Sequence, residues 1–168
     1  MFDDLLDANR RYRTEFHDSG VAGTAAKGLA VLTCIDSRVD PLALLGLHAG
    51  DAKIIRNAGA RVTADALRSL VIAVNLLGVT RVCVVHHTDC AMFGSTNDEI
   101  RNRISSMRGV DASGWDFLAG TDQRATLRGD IELIESCPLL PRDLEVGGFI
   151  FDVRTGELVP LAEGTEPT

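Results

Sequence analysis

The sequence has no apolar run that approaches the ~20 residues needed to span a bilayer, so we expect no membrane-spanning helix. It also lacks an excess of basic residues, since 24 acidic and 17 basic side chains give a net charge of -7 at pH 7. Without a basic stripe to neutralise phosphates, neither nucleic acid nor a membrane surface is expected as a partner. Residues 1–7 are acidic, whereas a secretory signal begins basic and continues apolar. We therefore predict a cytoplasmic protein.

Cysteine is also scarce, with four residues in a chain of 168. In a chain without a secretory signal, cysteines more often serve as thiols or metal ligands than as disulfides. A chain of this length can bury a sizeable core, and one domain is the expected count. We predict a single domain over residues 1–168.

Two short strings carry most of the chemical information, CIDSR at 34–38 and HTDC at 87–90. Each follows an apolar run that is typical of a buried strand, Leu29 to Thr33 for the first and Val82 to Val85 for the second. Two thiolates and an imidazole brought to the same end of one sheet form a ligand set for zinc. Three protein ligands leave the fourth tetrahedral position for water or substrate, which is typical of a catalytic site. This pattern predicts a zinc enzyme that activates water.

Strand-like and helix-like segments alternate along the chain, which predicts parallel strands joined by right-handed crossovers, with helices on both faces of the sheet. Asp40 and Thr63 are expected to cap two of the helices. We divide the chain into an N-terminal helix and link (1–28), an α/β core (29–161) and a polar, frayed tail (162–168). The predicted strands are 29–33, 52–56, 81–86, 146–153 and 157–161, and the predicted helices are 2–16, 41–47, 64–77, 97–108 and 122–136.

Three motifs occur in order: Cys-x-Asp-x-Arg after one strand, Arg-Asn-Ala-Gly after the next, and His-x-x-Cys after a third. In this order they resemble the β-class carbonic anhydrases, in particular the short, minimal members of that family. The resemblance runs from about Leu29 to Met92, and the GFIFD strand at 148–152 agrees with it.

The resemblance implies one Zn²⁺ per chain, held by Cys34, His87 and Cys90. Asp36 would either complete the tetrahedron in a closed form or pair with Arg38 and leave that position to water. The resemblance further implies that Asn57 and Gly59 help to shape the substrate pocket.

The same resemblance implies a homodimer or homotetramer with its sites near a dimer interface. The first helix is amphipathic and is separated from the core by a link of small residues, so we expect it to pack on a partner subunit.

The sequence departs from the family at two positions beside the ligands. Ala91 stands where the family usually has glycine, and its methyl group would crowd the backbone if φ were positive there. His86 stands where many members have glycine, and we expect it to point away from the metal because adjacent residues of a strand face opposite sides.

Among the other candidates, Cys83 and Cys137 are predicted to be packing residues. Asp89 is as well suited to capping a turn as to catalysis.

The resemblance implies reversible hydration of carbon dioxide to bicarbonate and a proton by a zinc-bound hydroxide. An alternative is hydrolysis of carbonyl sulfide or carbon disulfide, whose electrophilic carbon would be attacked at the same site. Two non-enzymatic alternatives stay open, a purely structural zinc site and a zinc- or bicarbonate-binding module in which Asp36 stays on the metal. The string at 34–38 argues against the latter, because an Asp36 carboxylate paired with Arg38 stays charged and is kept off the metal.

Overall fold

A computed structural model describes residues 1–18 and 20–161, so the predicted tail at 162–168 lies outside the described residues. The strands of this part are β1 (Leu29–Cys34), β2 (Ala52–Asn57), β3 (Arg81–His87), β4 (Glu145–Phe151) and β5 (Leu158–Pro160). The α-helices are α1 (Asp3–Glu15), α2 (Pro41–Leu44), α3 (Ala64–Leu76), α4 (Asn97–Arg108) and α5 (Gln123–Glu135), and a 3-10 turn, Ala58–Ala60, follows β2.

The strands form one sheet in the order β2-β1-β3-β4-β5. The first four strands are parallel and β5 is antiparallel to β4, which confirms the predicted mostly parallel α/β sheet. The strand order reverses between β1 and β3, and ligands of such sheets bind at this crevice beyond the carboxyl ends of the strands. Cys34 ends β1 and His87 ends β3, so the fold brings both to the crevice.

One face of the sheet is covered by α3 and α5. Leu32 of β1 and Leu70 of α3 are fully buried there, as is Leu127 of α5. Burial of one such side chain stabilises the fold by about 1.5–3 kcal/mol. Close packing of α5 requires glycine at position 148, because a Cβ there would lie 2.5 Å from Ile131 Cδ1.

The opposite face is less covered than the sequence predicted. Val31, Cys83 and Val85 point to this side, and the segment after α2 covers them through Leu45. Helix α2 ends at Leu44 rather than at residue 47, because the chain turns at Gly46 with φ +62°. An apolar groove of about 400 Å³ remains open on this face, hereafter the sheet groove. Its lining includes Leu29, Leu45, Leu47, Val82 and Phe149.

Helix α1 has no buried residue. The apolar side chains on and beside it are more than half exposed in the single chain, namely Phe2, Leu5, Leu6, Tyr12 and Phe16. The amphipathic pattern therefore forms the expected helix, but the described chain does not cover its apolar stripe. Packing of this helix on a partner stays a prediction.

The ends of the helices follow local sequence signals. The Asp40 side chain accepts hydrogen bonds from the N–H groups of Leu42 and Ala43, and the Thr63 hydroxyl accepts one from Ala66, so both predicted caps are confirmed. A capping box formed by Thr96 and Glu99 starts α4, and it was not predicted. Among the described residues, none of the helices combines the length and apolarity needed to cross a membrane.

Candidate metal centre

Cys34, His87 and Cys90 are buried, and one ligand atom from each lies within 4.8 Å of the other two. The two Sγ atoms are 4.0 Å apart. His87 Nδ1 lies 2.8 Å from the Thr88 carbonyl oxygen, and a proton on Nδ1 leaves the lone pair of Nε2 free. Within the described part of the chain, that buried Nε2 has no hydrogen-bond partner. The three residues therefore present two sulfurs and one imidazole nitrogen to a common point, which is a donor set that suits zinc.

The two cysteines differ in their tendency to ionise. The pKa of Cys34 is lowered to about 3, mainly by its contact with Cys90 and then, against the opposing effect of burial, by His87 and by backbone N–H groups. One of these groups is the N–H of Gly59, which lies 3.4 Å from Cys34 Sγ. The Cys34 thiolate and burial raise the pKa of Cys90 well above its ordinary value. These contacts favour the thiolate form of Cys34.

Asp36 and Arg38 form a two-point ion pair beside this centre. Arg38 donates from Nε to Asp36 Oδ1 at 3.0 Å and from Nη2 to Asp36 Oδ2 at 2.8 Å. These bonds hold the pKa of the Asp36 carboxyl well below its ordinary value. Asp36 Oδ2 lies 3.8 Å from His87 Nε2, the atom that points at the metal position. The paired carboxylate therefore lies beside the ligand cluster.

Asp89 belongs to the surroundings of this pair and has a left-handed backbone, with φ +55°. Its carboxylate accepts hydrogen bonds from Arg154, at 3.1 Å from Nε and 2.9 Å from Nη2, and Arg38 Nη1 lies 4.0 Å away. Arg38 also donates to the Asp89 carbonyl oxygen at 3.2 Å. Sequence reasoning missed Arg154, because it lies 65 positions from Asp89 on another turn and no local motif marks it.

The Arg-Asn-Ala-Gly string at 56–59 forms hydrogen bonds to the segment that carries Cys34. Arg56 donates to the carbonyl oxygens of Cys34 and Asp36, at 2.9 and 2.8 Å. Asn57 uses both ends of its amide on the backbone of Arg61, which leaves this amide engaged within its own loop. Gly59 has φ +78° and aims its N–H at Cys34. The polar groups of both residues are thus bonded within the protein, the Asn57 amide to Arg61 and the Gly59 N–H to Cys34.

The two departures from the family pattern are accommodated without backbone strain. Ala91 is exposed and is not among the residues with positive φ, so its methyl group does not force an unfavourable conformation. His86 is buried, its ring stacks on Phe93 with 4.8 Å between centroids, and it is not one of the residues of the ligand cluster. Cys83 is buried, which raises its pKa to about 12, and Cys137 packs against the main core, so both have the packing positions predicted for them.

A groove runs from Cys90 along α4 to the surface, with a volume of about 970 Å³, hereafter the α4 groove. Of the ligand cluster, only Cys90 is among the residues that line it. Its apolar lining comes from Ala91, Met92, Ile100, Ile104 and Met107, and its charged lining from Asp89, Glu99 and Arg103.

The sequence is similar to one family of known proteins. The family model described as carbonic anhydrase matches residues 29–112, which contain all three ligands and the Asp36–Arg38 pair. Beta-carbonic anhydrase 1 of Mycobacterium tuberculosis is 35% identical over 156 residues, covering 93% of this chain and 94% of that protein.

Two further comparisons concern the fold and a second activity. The crystal structure of a carbonic anhydrase from Streptococcus mutans superposes with a TM-score of 0.89 and 40% identity, covering 96% of this chain and 97% of that one. A carbon disulfide hydrolase from Acidianus is 33% identical over 156 residues, covering 77% of this chain and 75% of that protein. Relatives named for two different activities are therefore similar to this chain.

Proposed function

The chain belongs to the β-carbonic anhydrase family, and from this we propose that it is a lyase that hydrates carbon dioxide reversibly to bicarbonate and a proton. The proposal assigns the site to Cys34, His87 and Cys90 as zinc ligands, with Asp36 and Arg38 as the catalytic pair. The observation that carries it is the position of this pair, with Asp36 Oδ2 held by Arg38 at 2.8 Å while it lies 3.8 Å from His87 Nε2.

The residues fit one zinc ion per chain. His87 Nε2 is buried without a protein hydrogen bond in the described chain, and such an orphaned nitrogen is costly unless a ligand occupies it. The lowered pKa of Cys34 favours its thiolate, which is the form that binds metal. When bound, zinc supplies a Lewis acid that lowers the pKa of a coordinated water and polarises an oxygen of the substrate.

The protein side chains do the remaining work. The Arg38 guanidinium keeps the Asp36 carboxylate charged and off the metal position, so that the carboxylate can accept a hydrogen bond from the attacking oxygen group and thereby orient its lone pair. Cys90 lines the α4 groove, whose apolar side chains suit a small, uncharged substrate. Bicarbonate leaves by the same groove, past Arg103.

Hydrolysis of carbon disulfide or carbonyl sulfide is the second candidate, supported by the 33% identical carbon disulfide hydrolase from Acidianus. These molecules are linear and uncharged like carbon dioxide, so the same pair and the same groove can serve them. The width of the approach to the ligand cluster decides between them, and that approach is formed by residues outside the three motifs.

A stopped-flow assay on zinc-loaded protein tests these proposals together. We expect rapid proton release from carbon dioxide, and slower or no release of hydrogen sulfide from carbonyl sulfide and carbon disulfide. Turnover of the sulfur compounds alone would establish the second candidate. Full zinc content with no turnover of any of the three would overturn both and leave a zinc- or bicarbonate-binding module.

We also propose a homodimer or a homotetramer in which α1 packs on a second copy. The apolar stripe of α1 is exposed in the single chain, and the sheet groove on the other side of the core is lined by Leu29, Leu45 and Phe149. Because each copy has one such stripe and one such groove, two copies can cover each other with α1 laid on the partner's sheet groove.

The remaining proposals concern organisation and location. We propose that residues 1–168 act as one domain, with 29–161 as its core. Four cysteines without a disulfide support a reducing compartment, and therefore the cytoplasm. The net charge of -7 supports a small-molecule substrate without nucleic-acid or membrane partners.

A further inference from the structure

An ion pair with a fully buried carboxylate lies between α5 and the chain that follows β2. Asp130 of α5 has no exposed side-chain surface, and Arg61 Nε donates to its Oδ2 at 2.7 Å. The other carboxylate oxygen accepts the N–H of Val62 at 3.1 Å. Arg61 Nη1 donates in addition to the Leu118 carbonyl oxygen at 2.6 Å. Asp130 and Arg61 thereby tie α5 to the chain that follows β2.

That chain contains a turn with two consecutive residues in the left-handed region. Gly59 has φ +78° and Ala60 has φ +57°. A left-handed backbone is unfavourable for alanine and persists only where the surroundings hold it. Ala60 is fully buried, and a Cβ on Gly59 would lie only 3.1 Å from Met92 Cβ. The turn is therefore packed closely against Met92.

The turn delivers a single hydrogen bond to the metal centre, from the Gly59 N–H to Cys34 Sγ at 3.4 Å. A donor at this position withdraws electron density from the thiolate, and such contacts around a ligand tune the metal that it binds. This matters in a centre with two thiolates, because they neutralise the formal charge of zinc and weaken its effect on bound water.

The same carboxylate approaches a second ligand segment. His86 Nε2 lies 3.7 Å from Asp130 Oδ2, and both side chains are fully buried. His86 directly precedes His87, and its ring stacks on Phe93, which follows Cys90 by three positions. Burial favours the neutral form of Asp130, but the contacts with His86 and Arg61 outweigh it and hold the pKa of this carboxyl below its ordinary value. A charged group thus contacts both the chain after the 58–60 turn and His86, the neighbour of the ligand His87.

We propose that Asp130 is a positioning residue of the metal centre, which acts through Arg61 to hold the strained 58–60 turn and so keeps the Gly59 N–H on the Cys34 thiolate. The inference rests on the proposed zinc site. Although α5 contributes no ligand, it would then control how strongly the Cys34 sulfur donates electrons to the metal and how long the metal stays bound.

Asp130→Asn is the sharpest test, because it keeps the size of the side chain and removes its charge. We expect it to release zinc to a chelator about 10- to 100-fold faster, the range found when groups that orient metal ligands are lost. In the cobalt-substituted protein we expect the sulfur-to-cobalt absorption band to move to longer wavelength, since a thiolate that loses its N–H donor is a stronger electron donor.

Two control variants separate this role from a general loss of stability. Ile134→Val lies one turn further along α5 and is fully buried, so it weakens the same packing without touching Arg61. Asp65→Asn makes the same chemical change in an exposed pair with Arg68. Both should leave the cobalt spectrum and the rate of zinc release unchanged. A change in Asp130→Asn no larger than in Ile134→Val would overturn the inference.

Two more variants keep the test decisive. Should Asp130→Asn fail to fold, Arg61→Lys keeps a cation beside Asp130 but cannot bond to Leu118 as well, and the same spectral shift is expected in smaller size. An unshifted band in folded Arg61→Lys would also overturn the inference. Ala60→Gly removes the backbone strain of the turn. The double variant Ala60→Gly/Asp130→Asn should therefore release zinc more slowly than Asp130→Asn alone, and an equal rate would count against the inference.

The outcome for the wild-type protein separates the two proposals. Wild-type protein that fails to bind zinc or cobalt would overturn the proposed function and this inference together. Wild-type protein that binds them, with an unshifted spectrum and unchanged release in Asp130→Asn, would overturn the inference alone.

Discussion

Arg38 holds Asp36 through two parallel hydrogen bonds, of 3.0 Å from Nε to Oδ1 and 2.8 Å from Nη2 to Oδ2. The backbone N–H of Arg38 adds a third bond to Oδ1 at 2.9 Å. Because the held carboxylate lies only 3.8 Å from His87 Nε2, loss of the guanidinium would free a charged ligand beside the metal position. Arg38 therefore competes with zinc for one carboxylate.

The first prediction follows from this competition. Arg38→Ala should retain zinc but let Asp36 take the fourth coordination position, and turnover should fall at least about 100-fold, as is typical when a group that positions the reactants is displaced. Asp36→Asn should also retain zinc through the three remaining ligands and lose a similar factor. Zinc-edge X-ray absorption would detect the added oxygen ligand in Arg38→Ala, and a stopped-flow assay would give the rates.

Arg154→Ala is the matched control for Arg38→Ala. It removes a neighbouring arginine that bonds to Asp89 and is not within reach of Asp36. The zinc coordination of this variant should remain that of the wild type. Wild-type turnover and coordination in Arg38→Ala would remove the pair from the mechanism.

The second prediction concerns the ligands. Cys34→Ser, His87→Ala and Cys90→Ser should each lower the zinc content of purified protein sharply, because every one of them removes a third of the protein donor set. Elemental analysis after dialysis against a weak chelator measures this. Cys83→Ala is the control, since Cys83 is buried on the opposite side of β1 and β3 from the main core and donates nothing to the cluster. Zinc loss in folded Cys83→Ala, with retention in Cys90→Ser, would contradict the assignment.

The third prediction concerns assembly through α1. Leu5→Ser and Leu6→Ser each place a hydroxyl on the exposed apolar stripe, so they should shift the protein from dimers toward monomers in light scattering and lower its activity. Ala8→Ser introduces the same residue elsewhere on the same exposed helix and should leave the dimer intact. Removal of residues 1–16 should have the largest effect, and a fully active monomer after this deletion would refute the role of α1.

Much of the fold and of the centre was readable from local sequence. Apolar runs ending in Cys34 and His87 predicted both the strands and the edge of the sheet at which the ligands meet, because parallel strands share one carboxyl edge. Asp40 and Thr63 were recognisable as caps, since capping depends on residues only two or three positions apart. Helix α4 was placed with its observed bounds, Asn97–Arg108.

The remainder depended on contacts between distant parts of the chain. The pairing of Arg61 with Asp130 joins residues 69 positions apart, and although helical spacing puts Asp130 on the buried face of α5, no local signal identifies its partner. The hydrogen-bond partners of Asn57 could not be predicted either, because its amide can face a pocket or the backbone of its own loop. The geometry of the 58–60 turn determines that the amide bonds to the backbone of Arg61. Likewise, the short α2 left one sheet face open although the helix pattern suggested cover on both faces.

The fourth prediction concerns the stability of the protein in acid. The folded-state pKa of Asp130 is lower than its ordinary value, so the folded state binds fewer protons than the unfolded state. The resulting stabilisation is fully present above the ordinary carboxyl pKa of about 4 and is lost as the pH falls below it through the folded-state pKa. Removal of the charge in Asp130→Asn leaves Arg61 without its partner, and breaking such a buried pair costs about 3–5 kcal/mol at neutral pH.

Denaturant unfolding of the wild type and Asp130→Asn between pH 7 and pH 3, with a chelator present throughout, measures both effects. The two unfolding free energies should differ most at pH 7 and converge as the pH falls below about 4, because the wild type then loses the interaction that the variant already lacks. Asp65→Asn, whose carboxylate is 79% exposed in the native chain, should change stability little at any pH, since exposed ion pairs contribute little. A difference between wild type and Asp130→Asn that stays constant down to pH 3 would mean that the Asp130 carboxyl has the same pKa in the folded and unfolded states, and the ion pair with Arg61 would then not be what holds the turn beneath Cys34.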